Sequence, residues 1–131
     1  MRAISRRIGD RLRQHVRIRE HELTADEPKS SGGEDSGPSP QELLAASLAS
    51  CTAVTLEMYA ARKGWDIGEV TVDVDYEPAH RGSPTRFAMT VGLPKELSEE
   101  QRERLMQIAA KCPVHRTLEG EVMFDEQIEL V

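Results

Sequence analysis

Aromatic residues are scarce in this sequence, which has one Trp, two Tyr and two Phe among 131 residues. So few rings argue against a base-stacking platform for nucleic acid, and they leave the core to aliphatic side chains. No apolar run approaches the roughly 18 residues that indicate a membrane span. The N-terminal residues form no apolar signal segment, so we expect a cytoplasmic protein with no membrane contact.

Cysteine is rarer still, being limited to Cys51 and Cys112. In a reducing compartment such a pair is more often reactive or free than a structural disulfide. Cys112 and His115 would form half of a zinc site, but no second closely spaced pair of Cys or His completes it, so we expect no metal. The sequence also lacks a glycine-rich phosphate loop next to a strand, a nucleotide fingerprint and a nucleophile elbow.

The length and composition predict one globular domain over residues 1–131, with 38% hydrophobic and 31% charged residues. The formal net charge is −6, yet residues 1–20 carry seven arginines against two acidic residues. A basic segment can indicate nucleic-acid binding. Here the arginines are spread along strand-like sequence without interleaved aromatic residues. This favours a solvent-exposed strand face, so we expect no nucleic-acid partner.

The pattern of apolar and polar residues predicts mostly hairpin-connected strands with two helices. A first hairpin is predicted over residues 4–23 with Gly9-Asp10 at its turn. Strict alternation predicts a second hairpin from residues 70–76 and 86–91, and a last strand over residues 122–130. We therefore expect an α+β fold, in which an antiparallel sheet has two main helices packed across it. Such a sheet leaves apolar surface exposed, which predicts a homodimer.

The first predicted helix begins with a capping box. Ser39 is its N-cap, Pro40 suits the first helical position, and Glu42 completes the box. Gly64 is a credible C-cap, so the helix should span about residues 40–63. The predicted buried stripe of this helix consists of Leu44, Leu48, Cys51, Thr55, Met58 and Arg62.

The second predicted helix also begins with a capping box, formed by Ser98 and Gln101. Pro113 should interrupt this helix, because its ring blocks an interior helical hydrogen bond. A separate helical turn over residues 114–119 would then end at Gly120. The buried stripe predicted before the interruption consists of Leu105, Ile108, Ala109 and Cys112.

Each cysteine therefore lies on the predicted buried stripe of its own helix. If the two helices pack together, Cys51 and Cys112 come into contact although sixty-one positions separate them. Two neighbouring thiols can reduce a peroxide: a thiolate attacks the O–O bond, becomes a sulfenic acid and condenses with the second thiol to a disulfide. The alternative is that both are ordinary buried cysteines that act as small hydrophobic residues.

Activation matters because only the thiolate is nucleophilic, and burial raises the pKa of a thiol. Cys51 lies about three turns into its helix, too deep for much help from the helix dipole. It needs a cation, and the candidates are the N-terminal arginines, His115 and Arg116. Cys112 differs, since it directly precedes Pro113 and is predicted at the N-terminus of a helical turn, where backbone N–H groups favour a thiolate.

Two segments together resemble the OsmC/Ohr family of osmotically inducible and organic hydroperoxide resistance proteins, in particular its OsmC-like branch. The first segment is Gly37-Pro38-Ser39-Pro40-Gln41-Glu42-Leu43-Leu44, which leads to Ser50-Cys51-Thr52-Ala53-Val54-Thr55-Leu56. The second segment is Cys112-Pro113-Val114-His115-Arg116-Thr117-Leu118. The resemblance covers nearly the whole domain in the same order of elements.

The resemblance implies an OsmC-like intertwined homodimer with each active site at the subunit interface. It implies a peroxidase that acts on organic hydroperoxides in oxidative stress defence, without metal or flavin. By motif, Cys51 would be the peroxidatic residue and Cys112 the resolving residue, and a dithiol of lipoyl type would reopen their disulfide.

One position departs from the family pattern. Well-known members have a glutamate directly after the proline of the first motif, where it holds an activating arginine beside the first thiolate. Here Gln41 occupies that position and the glutamate follows at Glu42. Gln41 can hydrogen-bond but carries no charge. This departure supports an alternative function, a non-catalytic dimer of the same fold that binds a small apolar or electrophilic ligand near the thiols.

Overall fold

The structure is a computed structural model that describes residues 1–94 and 96–130. Its contacts divide the chain into two compact units, one of Met1–Ala46 with Asp75–Ala88 and one of Ser47–Val74 with the chain from Met89 onward. The regular elements are β1 (Ile4–Arg7), β2 (Gln14–Ile18), β3 (His21–Ala25), α1 (Pro40–Lys63), β4 (Thr71–Glu77), β5 (Arg86–Gly92), α2 (Glu99–Ala109) and α3 (Pro113–Glu119).

The predicted α+β fold class is confirmed. The strands of the described residues form two small sheets where the sequence predicted one. One sheet has the order β1-β2-β3, with antiparallel pairing throughout, and the other consists of β4 and β5. Along β4 and β5, exposed and half-buried residues alternate as predicted.

The N-terminal hairpin needs a correction, because the strand predicted after Gly9-Asp10 is two strands. Ile18 pairs with His21, so Arg19 and Glu20 form a two-residue turn between β2 and β3. Arg19 has a φ of 55°, a backbone value that residues other than glycine rarely adopt. The turn was missed because neither of its residues is a typical turn former.

The loop that leads to α1 is organised by one buried carboxylate, that of Asp26, which is 2% exposed. Its Oδ1 accepts a hydrogen bond from the backbone of Glu27 at 2.8 Å. Its Oδ2 accepts from the backbones of Glu34 and Ser36 at 3.2 and 3.1 Å, and from the Ser36 hydroxyl at 2.6 Å. The Ser36 hydroxyl is the main cause that lowers the pKa of Asp26 to about 2, against the opposing effect of burial.

Helix α1 has the predicted bounds. The Ser39 hydroxyl accepts from the backbone of Glu42 at 3.1 Å, and the Glu42 carboxylate accepts from the backbone of Ser39 at 2.9 Å, which completes the capping box. At the other end, Gly64 has a φ of 69°, and the backbone of Trp65 donates to Ala60 at 2.9 Å. This left-handed residue ends the helix.

The buried side of α1 differs from the predicted stripe. Its buried residues are Leu48, Thr52, Leu56, Tyr59 and Ala60. Met58 is 59% exposed, and Cys51 is only partly buried, at the edge of the buried side. The hydrophobic pattern alone favoured a stripe through Cys51 and Met58. In the folded chain the buried side instead runs through Thr52 and Leu56.

The core of the second unit joins α1 to α2. Its buried members are Leu56, Tyr59, Ala60, Ile67, Leu97, Leu105, Ile108 and Ala109. The predicted stripe of α2 is therefore confirmed. Helix α1 is also long and apolar enough to cross a membrane, with a mean hydropathy of 1.4. This is weak evidence for a span, because a core helix passes the same test.

The last predicted strand is wrong for the described chain. Residues 121–130 form no regular element and are exposed. A strand requires a partner for its backbone N–H and C=O groups, and among the described residues this segment has none. Its exposed apolar side chains are Val122, Met123, Phe124, Ile128 and Leu130.

The Asp26 cluster generates a prediction about stability and pH. The folded pKa of Asp26, about 2, lies below the ordinary value of 3.8, so its ionised form stabilises the fold at neutral pH. That contribution is lost as the pH falls from about 4 towards 2. The Tm of Asp26→Asn should therefore lie below that of the wild type at neutral pH, and the gap should shrink across this window. Circular dichroism melts from neutral to acidic pH measure it.

The matched control is Asp73→Asn, because Asp73 is exposed on β4. This variant should follow the wild type at every pH. A gap for Asp26→Asn that stays constant with pH would contradict the stabilising role of its charge.

Candidate functional site

The candidate site lies at the start of α3, where Cys112 is the N-cap residue. Its backbone is extended, with φ −64° and ψ 145°, and Pro113 occupies the first helical turn. The Cys112 Sγ accepts a hydrogen bond from the backbone N–H of His115 at 3.2 Å. The side chain is fully buried. Cys112 thus occupies the helix start that the sequence predicted for it.

Cys51 reaches the same place from α1. Its thiol lies near enough to the Cys112 thiol and to the backbone N–H of Val114 for both to influence its pKa. Both cysteines are free thiols. Two successive amides of α3 therefore act on the two cysteines: that of His115 donates to the Cys112 Sγ, and that of Val114 lowers the pKa of Cys51.

The pKa of Cys51 is raised above its ordinary value. Burial is the main cause, and the neighbouring Cys112 thiol raises it further through a hydrogen bond and charge repulsion. The backbone N–H of Val114 and the side chain of Thr55 act in the opposite direction, because they donate to the sulfur. In this chain burial and the second thiol outweigh the two donors.

A third residue of the site was missed by the sequence analysis. Thr52 is fully buried, and its hydroxyl donates to the Cys112 Sγ at 3.7 Å. The signal in the sequence was a hydroxyl residue four positions, about one helical turn, from both Leu48 and Leu56. Hydrophobic periodicity does not select such a residue.

The cations proposed to activate Cys51 have the following surroundings. Arg116 is exposed, and the Nδ1 of His115 lies 3.3 Å from the Glu119 carboxylate. Of the N-terminal arginines, Arg11 donates to the backbone oxygen of Gly32 at 2.9 Å. The identity of the activating cation stays a prediction.

Glu42, which follows the position that differs from the family pattern, forms hydrogen bonds within its own helix start. The carboxylate of Glu42 closes the capping box with Ser39, and hydrogen bonds from Ser39 lower the pKa of Glu42. Gln41 is exposed. Glu42 therefore serves the start of its own helix, so its carboxylate is not a simple replacement for the charge missing at Gln41.

An α+β protein with two adjacent thiols at a helix start is the class that this geometry defines. The chain belongs to the OsmC family, since the sequence pattern of OsmC-like proteins matches residues 33–127. An uncharacterized protein of Haloferax volcanii is 27% identical over 94 residues, which cover 70% of this chain and 71% of that protein.

Solved structures of the same family share the fold. A protein of Psychrobacter arcticus matches with a TM-score of 0.77 and 25% identity, over 88% of this chain and 85% of its own. The organic hydroperoxide resistance protein OsmC of Legionella pneumophila matches with a TM-score of 0.61 and 23% identity, over 92% and 90%. The organic hydroperoxide resistance protein OhrB of Bacillus subtilis matches with a TM-score of 0.61 and 21% identity, over 91% and 90%.

The surroundings of Cys51 predict opposite effects of two substitutions. Cys112→Ala removes a neighbour that raises the pKa of Cys51, so that pKa should fall. Thr55→Val removes a donor to the sulfur, so the same pKa should rise. The measurement is the rate of Cys51 alkylation by iodoacetamide as a function of pH, followed by mass spectrometry. An unchanged titration in both variants would show that neither side chain acts on Cys51.

Proposed function

We propose that this chain is a thiol-dependent peroxidase that reduces organic hydroperoxides, with Cys51 as the peroxidatic residue and Cys112 as the resolving residue. The observation that carries the proposal is that α1 brings Cys51 to Cys112: the hydroxyl of Thr52, the next residue of α1, donates to the Cys112 Sγ at 3.7 Å. The influence of the Cys112 thiol on the pKa of Cys51 agrees with this proximity. Family membership and relatives named for organic hydroperoxide resistance support the substrate class.

The chemistry uses two electrons from each thiol pair. The Cys51 thiolate attacks one oxygen of the hydroperoxide, the O–O bond breaks, and the leaving alkoxide takes a proton to give an alcohol. Cys51 is then a sulfenic acid. The Cys112 thiolate attacks the Cys51 sulfur, hydroxide leaves and is protonated to water, and a disulfide forms. A dithiol reductant, such as one of lipoyl type, returns both thiols and becomes a disulfide itself.

The role of Cys51 requires a thiolate, which the backbone N–H of Val114 and the side chain of Thr55 favour. Burial opposes it, so we expect a cation to complete the site, and the arginine-rich N-terminal segment is its predicted source. The need for reduced thiols fits a cytoplasmic location.

The proposed roles predict distinct effects of two substitutions. Cys51→Ser should abolish turnover of an alkyl hydroperoxide, because it removes the attacking atom. Cys112→Ser should retain at most a partial turnover, because only an external thiol can then reduce the sulfenic acid of Cys51. Peroxide consumption with a dithiol reductant measures both. Mass spectrometry of the treated wild type should show the loss of two hydrogens and a peptide that joins Cys51 to Cys112.

Free alkylation of both cysteines after oxidation would contradict this mechanism. The alternative is a non-catalytic OsmC-fold dimer that binds a small apolar or electrophilic ligand near the thiols. The raised pKa of Cys51 favours it, since a binding thiol need not ionise. Such a protein would consume at most one equivalent of hydroperoxide per chain, whereas the peroxidase consumes many.

We also propose that the chain forms a homodimer. The C-terminal segment, residues 121–130, has strand-like alternation and leaves five large apolar side chains exposed. Phe124 is 78% exposed and Ile128 is 93% exposed. Exposure of this much apolar surface is unfavourable in water, and a second copy of the chain can cover it while pairing its backbone.

Sedimentation equilibrium tests the dimer. The wild type should have twice the chain mass of 14.6 kDa. Phe124→Asp combined with Ile128→Asp should shift the protein towards the monomer, because a buried unpaired charge is costly. The control is Glu126→Gln, an exposed polar residue of the same segment, which should stay dimeric. A wild type with the mass of one chain contradicts the proposal.

A further inference from the structure

Thr52 is a polar residue in the apolar, fully buried side of α1. Leu48 precedes it by one turn and Leu56 follows it by one turn, and the exposed fraction of all three is 1% or less. Valine has nearly the shape of threonine, so packing alone would be served by valine. A hydroxyl at such a position loses its hydration and requires a hydrogen-bond partner inside the protein.

The partner of that hydroxyl is the sulfur of Cys112. The Thr52 Oγ1 donates to it at 3.7 Å, although a helical threonine can also donate to a backbone C=O of the preceding turn. The Cys112 sulfur thus has two donors, this hydroxyl and the backbone N–H of His115 at 3.2 Å. A sulfur that accepts two hydrogen bonds is suited to carry negative charge.

We propose that Thr52 is a positioning residue for the disulfide step, which holds the Cys112 sulfur beside Cys51 and stabilises its thiolate. The proposal rests on the proposed peroxidase function. Thr52 is fully buried, so it acts through Cys112.

The hydroxyl acts in both directions of the thiol chemistry. In the forward direction, the Cys112 thiolate attacks the sulfenic acid of Cys51, an S–S bond forms, and hydroxide leaves. In the reverse direction, a dithiol thiolate attacks the Cys51 sulfur, the S–S bond breaks, and Cys112 leaves as a thiolate that then takes a proton. A hydrogen bond to that thiolate favours the dithiol form over the disulfide, because a disulfide sulfur is a weaker acceptor.

The test separates the hydroxyl of Thr52 from its volume. Thr52→Val keeps the shape and removes the hydroxyl, whereas Thr52→Ser keeps the hydroxyl and removes a methyl group. The midpoint potential of the Cys51–Cys112 pair is measured by equilibration with oxidised and reduced dithiothreitol. Thr52→Val should shift the thiol–disulfide equilibrium about tenfold towards the disulfide, which lowers the potential by roughly 30 mV. Thr52→Ser should retain the wild-type value.

A second readout follows the disulfide step after one pulse of hydroperoxide. In Thr52→Val the sulfenic acid of Cys51 should persist about tenfold longer, as measured by dimedone trapping, while Thr52→Ser behaves as the wild type. If Thr52→Val does not fold, Thr52→Ser and Thr52→Ala make the same comparison, since both lose volume and only alanine lacks the hydroxyl.

Equal potentials and equal trapping in the variants with and without the hydroxyl would overturn the proposal. A larger effect in Thr52→Ser than in Thr52→Val would do the same, because it would indicate a packing role. Failure of the peroxidase function is distinguishable: the wild type would then form no disulfide with hydroperoxide, while the dithiothreitol equilibrium would still report the effect of Thr52.

Discussion

The interruption between α2 and α3 is the constraint on which the two thiols depend. Pro113 lacks an N–H and cannot continue a helix from within, so α2 ends and α3 restarts with Cys112 as its N-cap. The restart leaves the first amides of α3 without acceptors in their own helix. That of His115 donates to the Cys112 sulfur instead, and that of Val114 lowers the pKa of Cys51. An uninterrupted helix would use these amides internally, and both donors would be lost.

Two opposing effects then act on Cys51. Burial removes water from its thiolate, and donors from Val114 and Thr55 replace part of that water. Burial prevails, since the pKa of Cys51 is raised. A peroxidase needs the thiolate at this sulfur, whereas a binding thiol does not. The uncharged Gln41 bears on this difference, because the family pattern has at that position a glutamate that holds an activating arginine.

Local signals in the sequence predicted the elements that local interactions determine. The capping box at Ser39 and the left-handed Gly64 located both ends of α1, and Pro113 located the break before α3. The sequence-based predictions were wrong where the structure depends on partners that are distant along the chain. The turn at Arg19 has no glycine to indicate it, and its conformation is imposed by the pairing of β2 with β3. Residues 122–130 have the alternation of a strand, but a strand also needs a partner, and alternation says nothing about one.

Thr52 shows why the composition of a stripe could not locate the whole site. Adjacent helical residues lie about 100° apart around the axis, so a stripe centred on Cys51 leaves Thr52 towards its side. The hydrophobic pattern predicted that Cys51 lies on the buried side of α1 and that Thr52 does not. The structure places the hydroxyl inside and the thiol at the edge. That reversal lets one turn of α1 present two groups to a single sulfur: Cys51 as the proposed redox partner of Cys112, and Thr52 as its hydrogen-bond donor.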